Sequence, residues 1–172
     1  ANVEEILAQL GPFEYNVKVP SADNLEFKPL NLLETGAQYE GEFIKGTDTR
    51  EGTGKQIWAD GSVYEGFWSN SKANGRGRLI HADGDIYEGE WKDDKADGFG
   101  VYRHLDGARY EGYWHDDRQH GQGVETWPNG YIYKGEFKNS AWSGKGILTF
   151  PDGSNYEGEW ANGFMNGDGK FT

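Results

Sequence analysis

The stretch YEGEWKDDKADGFGVYRHLDGAR, residues 87–109, contains the pattern that decides the fold. It begins with Tyr-Glu-Gly-Glu-Trp, passes through a polar segment to Gly-x-Gly, and ends just after Asp-Gly. Aromatic residues that alternate with polar ones are typical of a half-buried strand. Asp-Gly between two such segments is a strong hairpin signal. We therefore predict two strands joined by a type I′ turn at Asp-Gly, with a polar loop after the Tyr-Glu-Gly-Glu-Trp strand.

The same pattern occurs along most of the chain. Its first residue is a tyrosine in all six copies: Tyr39, Tyr64, Tyr87, Tyr110, Tyr133 and Tyr156. The spacing is 25 residues once and then 23 residues four times. Repeats of this length are typical of architectures in which each unit packs on the next. We predict a repeat domain over residues 30–172, with a half repeat at 30–38, repeats that start at 39, 64, 87, 110 and 133, and a partial repeat from 156.

Side-chain alternation assigns the residues of the first strand to two faces. Tyr, Gly and Trp or Phe share one face, and the two intervening residues, mostly Glu, share the other. The bare Gly leaves room for a neighbouring ring on the backbone, which predicts a ladder of rings along the sheet. The face of the aromatic residue late in the second strand depends on whether the turn is bulged, and this question stays open for Trp58, His81, His104, Trp127 and Phe150.

The Tyr-Glu-Gly-x-Trp, Gly-x-Gly and Asp-Gly pattern at a 23-residue spacing resembles the MORN (membrane occupation and recognition nexus) repeat over about residues 30 to 172. The resemblance implies an all-β fold, namely an elongated, twisted, single antiparallel sheet of stacked hairpins with a groove on one side. It also implies a scaffold or targeting role on cytoskeleton, cilia or membranes, or a place beside an enzyme domain. Lys134 and the two extra residues of the first repeat depart from the pattern.

Composition limits the classes of partner. The chain has 27 Gly, 7 Trp, 10 Tyr and 9 Phe among 172 residues, and so many aromatics exclude a disordered chain. A net charge of −12 excludes nucleic acid as a partner and disfavours anionic lipid, because both would meet a repulsive surface. A mean hydropathy of −0.88 argues against a membrane-spanning protein. The absence of cysteine excludes disulfides and thiolate metal sites.

Residues 1–29 lie outside the repeats and form a predicted capping or docking segment. Asn2 and Glu5 form a predicted capping box for a short helix over residues 3–10, which ends at Gly11. Alternation after Pro12 predicts a strand over residues 13–19. We expect this segment to seal the first sheet edge or to lie on the sheet, and the alternative is that it belongs to a neighbouring chain or to a preceding domain.

No residue pattern indicates catalysis. The Gly-x-Gly pairs lack the rest of a phosphate loop and recur in every unit. The acidic segment after Trp91 has Lys95 where a calcium loop needs a ligand. His81 and His104 stand where other repeats have Trp or Phe, which favours packing over a metal-ligand or base role. We predict that the chain is not an enzyme and binds neither metal nor cofactor.

Aromatic residues are the candidate partner-binding residues. On the predicted ring face these are Tyr64, Trp68, Tyr87, Trp91, Tyr110, Trp114, Tyr133, Phe137 and Trp160. Four others break the repeat pattern: Phe67 and Tyr113 replace Glu, and Trp142 and Phe164 lie in predicted loops. Exposed aromatics are typical interface anchors. The alternative is that these four fill gaps in a thin sheet or cover the N-terminal segment.

We predict a non-enzymatic scaffold that binds a protein segment, either an amphipathic helix with basic flanks or an extended peptide, along the aromatic groove. The resemblance implies a cytoplasmic location in a cytoskeletal or ciliary assembly, with the chain as a homo-oligomer or as part of a larger assembly. Two alternatives stay open. One is a phosphoinositide or membrane-targeting module, against which the negative charge argues, and the other is an accessory domain of a larger enzyme.

Overall fold

The structure is a computed structural model that describes residues 2–15 and 23–172. The described residues form a helix, α1 (Val3–Leu10), and thirteen strands of an antiparallel sheet in which strand order equals chain order. This confirms the predicted all-β sheet of successive hairpins with a short N-terminal helix. The chain divides into two compact units, Ala1–Lys95 and Ala96–Thr172, which are described separately.

The strands of the first unit are β1 (Leu25–Leu32), β2 (Gln38–Ile44), β3 (Arg50–Ile57), β4 (Val63–Ser69), β5 (Lys72–Ile80) and β6 (Ile86–Lys92). The next strands are β7 (Lys95–Arg103), which starts at the unit boundary, β8 (Arg109–His115), β9 (Arg118–Thr126), β10 (Ile132–Lys138), β11 (Ala141–Thr149), β12 (Asn155–Ala161) and β13 (Phe164–Phe171). The predicted boundary between residues 29 and 30 falls inside β1, which begins at Leu25 because the residues from Leu25 to Lys28 already pair with β2.

An interlocked row of aromatic rings forms the core of the first unit. Tyr39 and Tyr64 are 0% and 1% exposed. The Tyr64 ring meets Trp68 of its own strand edge-to-face, with 5.1 Å between centroids, and meets Trp91 of the next hairpin at 5.3 Å. Edge-to-face contact is a favoured arrangement of aromatic pairs. Each tyrosine therefore links its own hairpin to the following one.

The second unit repeats this arrangement. The Tyr110 ring lies edge-to-face against Trp114 at 5.1 Å and against Phe137 at 5.0 Å. The Tyr133 ring likewise contacts Phe137 at 5.2 Å and Trp160 at 5.7 Å. In both units the rings project from the side of the sheet that carries the repeated Tyr, Gly and Trp or Phe residues, which we call the ring face. The side that carries the intervening residues is the outer face.

Facing glycines make room for the rings. In β10 and β11, Gly135 pairs with Gly146, and the phenol of Tyr133 covers both. The Tyr133 hydroxyl donates a hydrogen bond to the main-chain oxygen of Glu136 at 2.9 Å. The indole N–H of Trp160 donates to the main-chain oxygen of Gly146 at 3.0 Å. The polar atoms of the buried rings are thus satisfied by the backbone, as burial requires.

The turns differ from the prediction. At Asp60-Gly61 only the glycine has positive φ, 94°, and its N–H donates to the oxygen of Trp58 at 3.0 Å. The Asp60 carboxylate accepts a hydrogen bond from the N–H of Ser62 at 2.8 Å. This is a type I turn followed by a bulged glycine, not a type I′ turn. The type I′ prediction is wrong because Asp60 stays at negative φ, where its side chain satisfies the local backbone.

The segments predicted as polar loops are two-residue turns. At Asn70-Ser71 both residues have positive φ, 51° and 63°, as in a type I′ turn. The equivalent turns are Asp93-Asp94, Asp116-Asp117, Asn139-Ser140 and Asn162-Gly163. A two-residue turn lets the next strand begin at once, so Trp142 lies in β11 and Phe164 is the first residue of β13. The prediction that these two aromatics lie in loops is therefore wrong.

The bulged turns answer the question about the late aromatic residues. Trp127 contacts Trp142 with 5.8 Å between ring centroids, and Trp142 in turn stacks on Tyr133. Trp58 lines a cavity together with Trp68. The late aromatics Trp58 and Trp127 therefore lie on the ring face, because the bulge keeps the following strand in register with the preceding one.

Helix α1 lies on the outer face of the first unit. The Asn2 side chain accepts from the N–H of Glu5 at 2.8 Å, and the Glu5 carboxylate accepts from the N–H of Asn2 at 3.4 Å, which is the predicted capping box. The apolar side of the helix packs on the sheet through a cluster that includes Val3, Ile6, Val63 and Ile80. Packing of this kind stabilises a helix that is too short to form alone.

The residues after the helix continue across the outer face. The Tyr15 ring contacts Phe67 edge-to-face at 5.1 Å and Phe13 at 4.9 Å. The guanidinium of Arg78 donates to the main-chain oxygen of Gly11 at 2.8 Å. Phe67 therefore packs against the N-terminal segment, as one of our alternatives supposed. Residues 13–15 are not part of a strand, and the rest of the predicted strand, residues 16–19, lies outside the described residues.

We expect Gly146→Ala to lower the free energy of unfolding by about 2 to 3 kcal/mol, because a Cβ there would overlap the Tyr133 ring and overpacking displaces well-packed groups. Urea denaturation measures the loss. The control is Gly153→Ala, at φ 89° with open space around the new methyl, which we expect to cost about 1 kcal/mol through backbone strain alone. Equal losses in the two variants would contradict the steric role of Gly146.

We expect stability to fall as the pH rises above about 10. Burial, and then nearby Glu136 and Glu125, raise the pKa of Tyr133 to about 12, from 10.0 for an unperturbed tyrosine. Burial likewise raises the pKa of Tyr15 to about 12. Between these values the unfolded chain releases protons that the folded chain keeps, so the contribution is complete below pH 10 and is lost towards pH 12. Urea denaturation over this range measures it, and constant stability to pH 12 would contradict it.

Candidate functional site

The ring face of the second unit carries an open apolar cleft of about 300 Å³. Its walls are partly exposed side chains from β11, from the end of β9 and from the turn between β9 and β10: Trp127, Asn129, Tyr131, Trp142 and Leu148. Ligand sites are typically concave and apolar with a few polar groups. We call this cleft the Trp127 cleft.

Trp142 is the central wall of the Trp127 cleft. Its ring stacks on Tyr133 with 4.4 Å between centroids and an interplanar angle of 2°, and it meets Trp160 edge-to-face at 5.1 Å. The corresponding residues in the two repeats of the first unit that end in complete hairpins are Arg50 and Ala73. A large flat ring at this position converts part of the ladder into a wall that stands above the buried rings.

A carboxylate lies beside this wall. The indole N–H of Trp142 donates to Oε1 of Glu125 at 3.2 Å. Burial raises the pKa of Glu125, while the bond from Trp142 and the proximity of His104 lower it. Glu125 lies between Tyr110 and Tyr133 in the strand register, at a position where other repeats have mostly uncharged, apolar residues. The ring face of the second unit therefore combines rings with one acidic group.

The first unit has a cavity of about 220 Å³ at the corresponding place, with a cation in it. The guanidinium carbon of Arg50 lies 4.7 Å from the centroid of the Trp68 ring. The guanidinium donates to the side-chain oxygen of Gln56 and, at 3.0 Å, to the main-chain oxygen of Ser71. Burial lowers the pKa of Arg50. The chain thus fills this part of its own ring face with a basic side chain.

Most predicted binding residues are part of the core. Tyr64, Tyr87, Tyr110 and Tyr133 are at most 2% exposed, and Trp68, Phe137 and Trp160 are at most 4% exposed. Trp91 and Trp114 are partly exposed on the ring face, and their indole N–H groups donate to main-chain oxygens. Within each unit these residues come together as the ladder. The rings available for contact are those that rise above it, and among the predicted residues Trp142 is the clearest case.

The other predicted aromatics lie apart from the Trp127 cleft. Phe67 packs under Tyr15 on the outer face. Tyr113 is 52% exposed on the outer face of the second unit, where it meets Phe99 edge-to-face at 5.6 Å. Phe164 is 76% exposed in β13. The structure therefore does not gather the four pattern-breaking aromatics into one site.

Sequence reasoning missed Arg50, Glu125 and Tyr131. Each has a signal in the repeat alignment: Arg50 and Glu125 put charges into columns that hold mainly uncharged residues, and Tyr131 puts a ring into a column of small or acidic residues. The search considered only aromatic departures from the pattern, so the two charged departures were not examined.

The described residues contain no helix that is long and apolar enough to cross a membrane. Within the same residues, no group of three or more His, Asp or Glu side chains is arranged to hold a metal ion. The acidic pair Asp93-Asp94 forms a two-residue turn, in which Asp94 accepts a hydrogen bond from the N–H of Ala73 at 2.7 Å. These carboxylates therefore serve the turn.

Comparisons with known proteins agree with the repeat pattern. The MORN repeat family model matches six consecutive segments: 39–63, 64–86, 87–109, 110–130, 133–155 and 156–172. No curated protein matches the chain. Among solved structures, the chain is similar to the TCP domain of SAS-4 (dCPAP) of Drosophila melanogaster in complex with a proline-rich motif of Ana2 (dSTIL), with 13% identity, a TM-score of 0.42, and coverage of 84% of this chain and 72% of that one. Since the family model covers most of the sequence, the chain belongs to the MORN repeat family.

Proposed function

We propose that the chain is a non-enzymatic scaffold that binds a segment of a partner protein on its ring face. The observation that carries this proposal is the Trp127 cleft, where partly exposed rings surround an open apolar space of about 300 Å³. Tryptophan and tyrosine in such pockets are the residues that contribute most to protein interfaces. An apolar side chain of the partner is the group that fits this cleft.

The rings of the cleft are held in place before any partner arrives. Trp142 is fixed by stacking on Tyr133 and by its hydrogen bond to Glu125. Trp127 contacts Trp142 at 5.8 Å, and Tyr131 contacts Phe150 at 5.7 Å. A surface whose side chains are already ordered loses little conformational entropy on binding. This favours a binding role over a purely structural one for the exposed edges of these rings.

Charge and family membership supply the rest of the proposal. With a net charge of −12, the chain attracts a segment with basic flanks and repels nucleic acid and anionic lipid. The partner segment is an amphipathic helix or an extended peptide, since both present apolar anchors at regular spacing. The proposed setting is a cytoskeletal or ciliary assembly in the cytoplasm, in line with the roles of other MORN repeat proteins.

We expect a displayed library of short random peptides to yield binders of the intact chain, and we expect Trp127→Ala and Tyr131→Ala to weaken the selected peptides about thirtyfold each. The loss reflects removal of ring contacts at the centre of the cleft. Fluorescence anisotropy of the labelled peptides measures it.

The matched control is Tyr113→Ala, which removes a partly exposed ring from the outer face of the same unit and should leave binding unchanged. Failure of the library to yield binders, or loss of binding in Tyr113→Ala but not in the cleft variants, would overturn the ring-face proposal. Flotation with vesicles containing phosphoinositides tests the lipid alternative, for which we expect no binding.

A further inference from the structure

Glu125 is a charge that the fold does not use in an ion pair. Its side chain is partly buried on the ring face, and its one hydrogen bond within the described residues comes from the Trp142 indole at 3.2 Å. A carboxylate has about four acceptor sites on its two oxygens, so most of its capacity is unspent. Partial burial of a carboxylate is costly without a cationic partner. The position therefore suits a cation that is supplied from outside the chain.

The first unit shows what such a cation looks like. There Arg50 packs its guanidinium on the Trp68 ring and donates to the side chain of Gln56. The N–H of Arg50 accepts support from its turn by donating to the Ser71 hydroxyl at 3.1 Å. This set, consisting of a guanidinium, a ring, a side-chain acceptor and a turn serine, is a complete arginine seat built by the chain from its own residues.

The same seat recurs three repeats later without its arginine. Gln119 occupies the position of Arg50, and its N–H donates to the Ser140 hydroxyl at 3.2 Å, as that of Arg50 does to Ser71. Glu125 occupies the position of Gln56, and Phe137 that of Trp68. The second seat has therefore exchanged a neutral acceptor for a carboxylate and has lost the internal cation. Both changes favour an external positive charge.

We propose that Glu125 pairs with an arginine side chain of the bound partner, next to the apolar anchor that enters the Trp127 cleft. This rests on the proposed function, because it assigns the partner's chemistry at the same ring face. Trp142 connects the two subsites: its N–H contacts Glu125 while its ring lines the cleft. The partner segment then carries an arginine beside an aromatic or aliphatic residue.

Arginine fits this position better than lysine. A guanidinium can donate two parallel hydrogen bonds to a carboxylate while its flat face packs on aromatic rings. Both kinds of acceptor are present: Oε2 of Glu125 is free of hydrogen bonds within the described residues, and the Trp142 ring lies beside it. The seat of Arg50 uses the same combination of ring packing and donation to a side-chain oxygen.

The test compares wild type with Glu125→Gln, which keeps an oxygen for the Trp142 N–H and removes the charge. We expect peptides selected from the random library by wild type to be enriched in arginine next to an apolar residue, and those selected by Glu125→Gln not to be. For one selected peptide, replacing that arginine by citrulline, its neutral analogue, should weaken binding to wild type about tenfold and binding to Glu125→Gln hardly at all. Replacing it by lysine should also weaken binding.

The matched control is Glu157→Gln, which makes the same charge change on an exposed residue of the outer face of the second unit and should behave as wild type. If wild type selects peptides that depend on Trp127 and Tyr131 but show no arginine preference, or if citrulline and lysine bind as well as arginine, the inference falls while the proposed function stands. If wild type selects no peptide, both fall. The citrulline comparison on wild type needs no variant to fold.

Discussion

The contact between a tyrosine ring and two facing glycines is the constraint on which the structure depends. Tyr133 illustrates it: its ring covers Gly135 and Gly146, and its hydroxyl bonds to the backbone oxygen of Glu136. A side chain at either glycine would displace the ring. Because the ring also meets an aromatic residue of its own strand and one of the next hairpin, the contact holds successive hairpins together within each unit. The other features of the ring face follow from this spacing.

The ladder consumes most of the aromatic surface that it creates. The buried tyrosines and tryptophans spend their polar atoms on backbone oxygens and their edges on one another, so a regular repeat offers a partner little that is free. Binding capacity arises where a repeat departs from the pattern. Trp142 turns a small side-chain position into a wall, and Glu125 adds a charge next to it. In the first unit, by contrast, Arg50 fills the corresponding place from within.

Some parts of this arrangement could be predicted because they depend on alternation and spacing. The faces of Tyr64, Gly66 and Trp68 follow from the two-residue period of a strand. The turn types could not be assigned in this way. Asp60 keeps a negative φ because its carboxylate bonds to the N–H of Ser62, whereas Asn70-Ser71 has positive φ at both residues. Which segment becomes the two-residue turn depends on the pairing of the whole hairpin, and a local Asp-Gly signal does not report that pairing.

The sequence by itself determined the repeat, the strands and the aromatic ladder, since each rests on a pattern repeated six times with a strict spacing. The capping box of α1 belongs to the same group, because it needs only Asn2 and Glu5 three residues apart. Tertiary structure alone decided which rings remain accessible and which charge stands beside them. Trp142 and Glu125 are on neighbouring hairpins, 17 residues apart in the chain, and only the register between β9, β10 and β11 brings the indole to the carboxylate. Contacts across strands depend on that register, which no short segment encodes.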